Sequence, residues 1–277
     1  MSPLLSLVFA VTAAVFAGLL VFLVVRRASA SRIKPGESLP VGVGEVFTVI
    51  GMAYVILLGF VSVEAFESFQ RARTSARAEA HAVAEGYMVA GLLPRSHRDG
   101  VQRDIMCYAQ AVTSSWDGLE ERLAAGEVDP DVEAAQLRIQ RSLDRVPVEG
   151  EKANVAYEYT VIAHEERMRE RAARLTEGSV FVPHSLWILL WIGAAIIMTF
   201  VIFFTLFQRR RWLQVSLITL TIVMFAVMFG SINLLDHPFS NSPGAVSARA
   251  MDSALARMEL LEGAKVSESE CDERALE

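Results

Sequence analysis

The chain has 277 residues, 53% of them hydrophobic and 21% charged, with a formal net charge of −6. Its mean hydropathy of +0.36 is too high for an ordinary soluble domain, while its charge is too high for a bundle lying wholly in lipid. No basic stripe is present, so nucleic acid is excluded as a partner.

The charges are segregated. Four apolar runs, residues 4–25, 43–63, 183–207 and 212–235, each approach or exceed the roughly 20 residues needed to cross a hydrocarbon core of about 30 Å. The expected organisation is two transmembrane helices within 1–65, an extramembrane helical domain over 66–180, two further transmembrane helices over 181–236, and a tail over 237–277. The first run reads as a retained helix rather than a signal peptide. Nothing basic but the amino terminus precedes it, and Arg26 and Arg27 follow it.

The second run carries Gly44, Gly51, Ala53 and Gly59, small residues that let helices approach closely. This span is therefore expected to pack tightly or to line an axis. It ends in Ser62-Val63-Glu64, and a carboxylate near lipid usually lines water, pairs with a base or marks an ion path. Several copies around an axis would make a ring of Glu64, a device that attracts cations. Beyond Phe69 the sequence is rich in alanine, arginine and glutamate, all strong helix formers, and no proline appears before Pro94. One helix is expected to leave the lipid unbroken and to end near Pro94.

The rest of the middle block reads as three helices, about 96–125, 131–144 and 149–176. In the last, Val155, Tyr159, Ile162 and Met168 lie on one side, with Arg167, Arg169, Arg171 and Arg174 around it. The final span is the most polar, carrying Ser216, Thr219, Thr221, Ser231 and Asn233, and it stops at Asp236-His237-Pro238. In the tail, Ser240 to Gly244 form a turn. A helix over 246–262 is expected to bury Ala254, Leu255, Met258 and Leu261, and the acidic residues 267–273 are expected to be disordered.

Two short loops carry the topological signal: Arg26, Arg27, Arg32 and Lys34 in one, Arg209, Arg210 and Arg211 in the other. Basic residues in short loops stay cytoplasmic, which puts both termini and the middle block outside. Cys107 and Cys271 lack CxxC or metal-ligand spacing and read as unrelated free thiols; a disulfide between them needs both on an oxidising face. His81 with Glu85, and Glu166 with Glu170, lie one helical turn apart, but no HExxH-like pattern accompanies them, so no metal is expected. No phosphate loop, GxSxG or nucleophile–base pair supports an enzyme, and no cofactor is expected.

Several segments together carry a family resemblance. They are Leu58-Gly59-Phe60 followed by Glu64 and the extension from Arg71 to Glu79; Tyr108 with Trp116; Arg171 to Arg174 leading to Pro183, Leu186 and Trp187; and Leu235-Asp236-His237-Pro238-Phe239. Over about residues 40–250 the chain resembles the bacterial bestrophin-like domain family, most specifically in the Asp-x-Pro-Phe segment. The resemblance implies an all-α fold of two spans, a helical middle and two spans. It also implies a homo-oligomeric, pentameric, channel-like protein of the bacterial inner membrane, with Trp116, Arg174, Pro183, Trp187, Pro238 and Phe239 as family-motif residues. Bestrophins keep their termini and middle region in the cytosol, opposite to the loop-charge reading.

The expected function is a homo-oligomeric ion channel in a lipid bilayer. Its second span lines the axis. Glu64, Asp236, Gly59, Ser62 and Asn233 are the candidates along the ion path, and Arg71, Arg73 and Arg77 set the vestibule charge. The alternative is a non-conducting membrane sensor or scaffold whose helical domain binds a partner or ligand.

Overall fold

The computed structural model describes Val24, Arg27, residues 42–147, 150–178, 182–208 and 210–263, and Cys271. The first expected span and the acidic stretch of the tail lie outside these residues, except for Val24 and Cys271. Eight helices make up the described chain: α1 (Val43–Ala90), α2 (Arg95–Ser114), α3 (Leu119–Ala125), α4 (Pro130–Asp144), α5 (Glu151–Glu177), α6 (His184–Leu206), α7 (Arg211–Asp236) and α8 (Arg249–Glu262). The fold is all-α, and three of these helices, α1, α6 and α7, are long and apolar enough to cross a membrane.

Two compact units emerge: Met1–Glu67 with Phe181–Asp236, and Ser68–Val180 with His237–Glu277. α1 contributes to both. It runs 48 residues without a break, as the proline-free sequence implies.

In the first unit, α6 packs on α7, and buried positions on α7 recur every three or four residues from Gln214 to Asp236. Tyr54, Leu58 and Val61 of α1 join Leu190, Ala194, Phe225 and Phe229 in one apolar cluster. The Tyr54 hydroxyl donates to the Leu190 carbonyl at 2.9 Å. Its ring occupies the space that a side chain at Gly193 would need, so that glycine is a packing requirement. The Gln214 amide donates to the carbonyls of Thr205 (2.9 Å) and Gln208 (2.7 Å), tying off the turn between α6 and α7. The outward faces are hydrocarbon: Ile56, Phe60, Ile188, Trp191 and Leu220 are all exposed.

In the second unit, α2 packs on α4 and on α8. Two expectations change here. The helix expected over 96–125 is two helices, α2 and α3, separated by residues 115–118. Gly118 adopts φ +80, and Trp116 turns inward so that its indole N–H reaches the Val246 carbonyl at 3.2 Å. In the tail, Met251, Ala254 and Met258 are the buried side of α8, while Leu261 is exposed.

On α5 the buried face runs Ala156, Thr160, Ala163, Arg167, Arg171, Arg174, and the apolar side of Val155, Tyr159, Ile162 and Met168 is exposed. Three- and four-residue steps generate both faces. The arginine face turned inward because it meets Glu79, Tyr108 and Glu133 there.

Cys107 and Cys271 are joined by a disulfide across a sequence separation of 164. The reading as free thiols is corrected: the tail brings Cys271 to α2, which spacing alone cannot reveal.

Candidate functional site

The expected ion-path residues fall on α1 and α7. Glu64 is half-buried on α1, and Asn233 is exposed on α7. Gly59 is exposed with no atom within 4 Å of the place its Cβ would take, so another helix can approach it closely. The Ser62 hydroxyl donates to the Leu58 carbonyl of its own helix at 2.7 Å.

Asp236, the last residue of α7, is 1% exposed. Its Oδ1 accepts the Val182 N–H at 2.7 Å, and its Oδ2 accepts the Trp187 indole N–H at 3.3 Å. Pro183, at the N-cap of α6, stands between these two donors in sequence. One carboxylate therefore fixes how the chain enters α6, a position where helix N–H groups lack intrahelical partners.

The remaining motif residues converge in the second unit around an acid that the sequence reading passed over. Glu79 is 0% exposed. It accepts a hydrogen bond from the Tyr108 hydroxyl at 2.5 Å, and the Arg174 guanidinium binds its other oxygen. The Arg174 guanidinium lies 5.3 Å from the Trp116 ring. Trp116 meets Phe239 edge-on at 5.5 Å. A Cβ at Gly178 would come within 2.7 Å of a Phe239 ring carbon, so only glycine admits this ring. The Val246 N–H donates to the Pro238 carbonyl at 2.8 Å, closing the turn after Phe239.

Arg167 lies 4.2 Å over the Tyr108 ring. It meets His164 Nδ1 at 3.3 Å, while its Nε and Nη1 make no hydrogen bond. Burial pushes the Tyr108 hydroxyl well above its ordinary range, with the Glu79 charge adding to the effect. Burial lowers the Arg167 guanidinium. Burial also works against the Arg174 charge, but Glu79 outweighs it and the net shift is upward. His164 is pushed down to about 4, by burial and then by the Arg167 charge.

Glu79 was legible in principle. It sits among Ala72, Ala76, Ala80 and Val83, all buried, on the inner stripe of α1. A lone carboxylate within an alanine face implies a buried base opposite.

Arg71 is exposed and pairs with Glu177 at 3.1 Å; Arg73 and Arg77 are exposed. His81 and Glu85 form a solvent-exposed pair at 3.8 Å. Among the described residues no group of three or more His, Cys, Asp or Glu side chains is placed to hold a metal.

The bestrophin-like domain family matches residues 7–249. No curated protein matches the chain in sequence. A crystal structure of a bacterial bestrophin homologue from Klebsiella pneumoniae superposes with a TM-score of 0.69 at 13% identity, covering 94% of this chain and 99% of that one. A singly substituted form of that homologue gives 0.69 at 14% identity, covering 93% and 99%. At such identities the likeness establishes the fold.

Proposed function

Because the chain belongs to the bestrophin-like domain family, we propose that it forms a homo-oligomeric, pentameric ion channel of the inner membrane with α1 lining the axis. The observation that carries the assembly is the exposed face of α5. Val155, Tyr159 and Ile162 are 45%, 58% and 53% exposed, on a helix whose Arg167, Arg171 and Arg174 are buried. An apolar stripe outside the lipid needs a cover, and a neighbouring copy supplies one. Gly59, open to close approach, supports α1 as the helix that meets other copies at the axis. In this reading Glu64 filters, Ser62 and Asn233 add polar surface along the path, and Arg73 and Arg77 set the vestibule charge. Arg71 is partly neutralised by Glu177, and Asp236 shapes the path by holding the start of α6.

The disulfide supports placing the helical unit and both termini outside the cytoplasm. Such bonds persist in oxidising compartments, and the basic short loops agree. A periplasmic reporter fused at Glu277 is expected to be active; activity of a cytoplasmic reporter there reverses the orientation.

Ion flux through the purified protein in liposomes tests conduction, with wild type beside Glu64→Gln. Flux whose selectivity changes with the substitution supports a pore lined by α1. A folded oligomer without flux across pH, salts and calcium moves the reading to a sensor or scaffold.

A further inference from the structure

Within the helical unit a cavity of about 200 Å³ opens between the start of α2 and the outer face of α4. Neither the proposed pore nor the buried Glu79 cluster uses it. Arg138, Arg141 and Arg145 line it, spaced three and four residues apart and so on one side of α4 and its end. The opposite wall is the first turn of α2, with Ser96 and His97. That 20-residue helix has Pro94 at its N-cap, no side-chain cap and no acid in its first turn. The His97 N–H is already bonded to the Pro94 carbonyl at 2.9 Å, so this wall offers an anion chiefly the positive end of the helix dipole.

The one carboxylate in the wall is Asp104, 3% exposed, and it accepts the Ser142 hydroxyl. Among the described residues none of the three arginines forms a salt bridge, and Arg138 Nε is buried without a hydrogen-bond partner. Three guanidinium groups against one carboxylate leave a net charge of about +2 facing the cavity. Forked N–H donors match the oxygens of a tetrahedral oxyanion, and the cavity is below the usual size of an organic-ligand pocket.

The geometry points to a binding site for a small, doubly charged oxyanion of the phosphate type, held between the α4 arginines and the α2 N-terminus. The group can arrive as a free ion or as a phosphomonoester headgroup. The site depends on neither conduction nor subunit number.

The test uses the full-length protein in detergent, titrated with inorganic phosphate against chloride at equal ionic strength, with thermal unfolding and calorimetry as readouts. Phosphate is expected to raise the unfolding temperature saturably, as a ligand of the native state must. Arg141→Gln is expected to lower the affinity about tenfold or more, the loss of one charge-assisted contact. Arg141 is exposed, so this variant should keep the wild-type fold and its unliganded unfolding temperature. Arg257→Gln, exposed on α8 and outside the cavity wall, serves as the charge control and is expected to bind phosphate like wild type. Vesicles containing phosphatidic acid, compared with phosphatidylcholine alone, separate the two sources of the group. Binding to the first that inorganic phosphate competes away assigns it to a headgroup, and phosphate binding without vesicle preference assigns it to a free ion. Equal shifts with phosphate and chloride, or unchanged phosphate affinity in Arg141→Gln, would overturn the site.

Discussion

In the unit built from the apolar spans, the buried acid is Asp236, which accepts from a backbone N–H and an indole. In the helical unit the buried acid is Glu79, held by a guanidinium and a phenol beside a second buried guanidinium, Arg167. The outer surfaces differ as well. The spans show hydrocarbon, which lipid covers, whereas the helical unit shows the apolar stripe of α5, which lipid does not explain. One unit thus uses charge within its core and leaves apolar side chains on its surface. On α5 the hydrophobic period marks the helix but not the face that turns inward.

The largest effect is expected at Glu79. Replacing it with Gln leaves Arg174 buried without its counter-charge, which costs about 3–5 kcal/mol for a broken buried pair. Thermal unfolding in detergent measures this. The double variant with Arg174→Met is expected to recover part of the loss, because no buried charge is then left without its counter-charge. Additive losses would mean that the pair does not act as a unit.

Asp236→Asn sharpens the comparison. The Val182 N–H and the Trp187 indole are neutral donors, so at these contacts the change misplaces one hydrogen bond rather than orphaning a charge, and about 1–3 kcal/mol is expected. A loss as large as at Glu79 would show that a charge is at stake there too.

His164 gives a pH-dependent effect. Its folded-state value of about 4 lies below the ordinary 6.5. Between those values the unfolded chain takes up a proton that the folded chain refuses, so stability is full above pH 6.5 and falls as pH drops toward 4. The contribution is on the order of 2 kcal/mol, discounted for its partial exposure. His164→Gln is expected to flatten that part of the stability–pH curve, and an unchanged slope would assign it to other groups.

The sequence made much of this visible, for physical reasons. Apolar length marked α1, α6 and α7, and the absence of proline marked α1 as one helix. Pro130 and Pro183 marked helix starts. Other features rest on long-range pairing that one-dimensional patterns do not carry. Trp116 breaks the helix after α2 because its partners, Phe239 and the Val246 carbonyl, come from the tail. Cys107 and Cys271 meet for the same reason. The arginines of α5 turned inward because Glu79, 95 residues upstream of Arg174, supplies the opposing charge. Asp236 drew notice as an acid at a membrane end, but its role in holding Val182 and Trp187 depends on the packing of α6 against α7.

The mass of the detergent-solubilised protein, measured for wild type beside Ile162→Arg, tests the inside-out character of α5 most directly. Wild type is expected as a homo-oligomer. Ile162→Arg, which changes only the exposed face, is expected to shift it to monomers with unchanged helical content and unfolding temperature per subunit. A monomeric wild type, or an oligomer indifferent to charge at Ile162, would contradict the reading of that face as the surface between subunits.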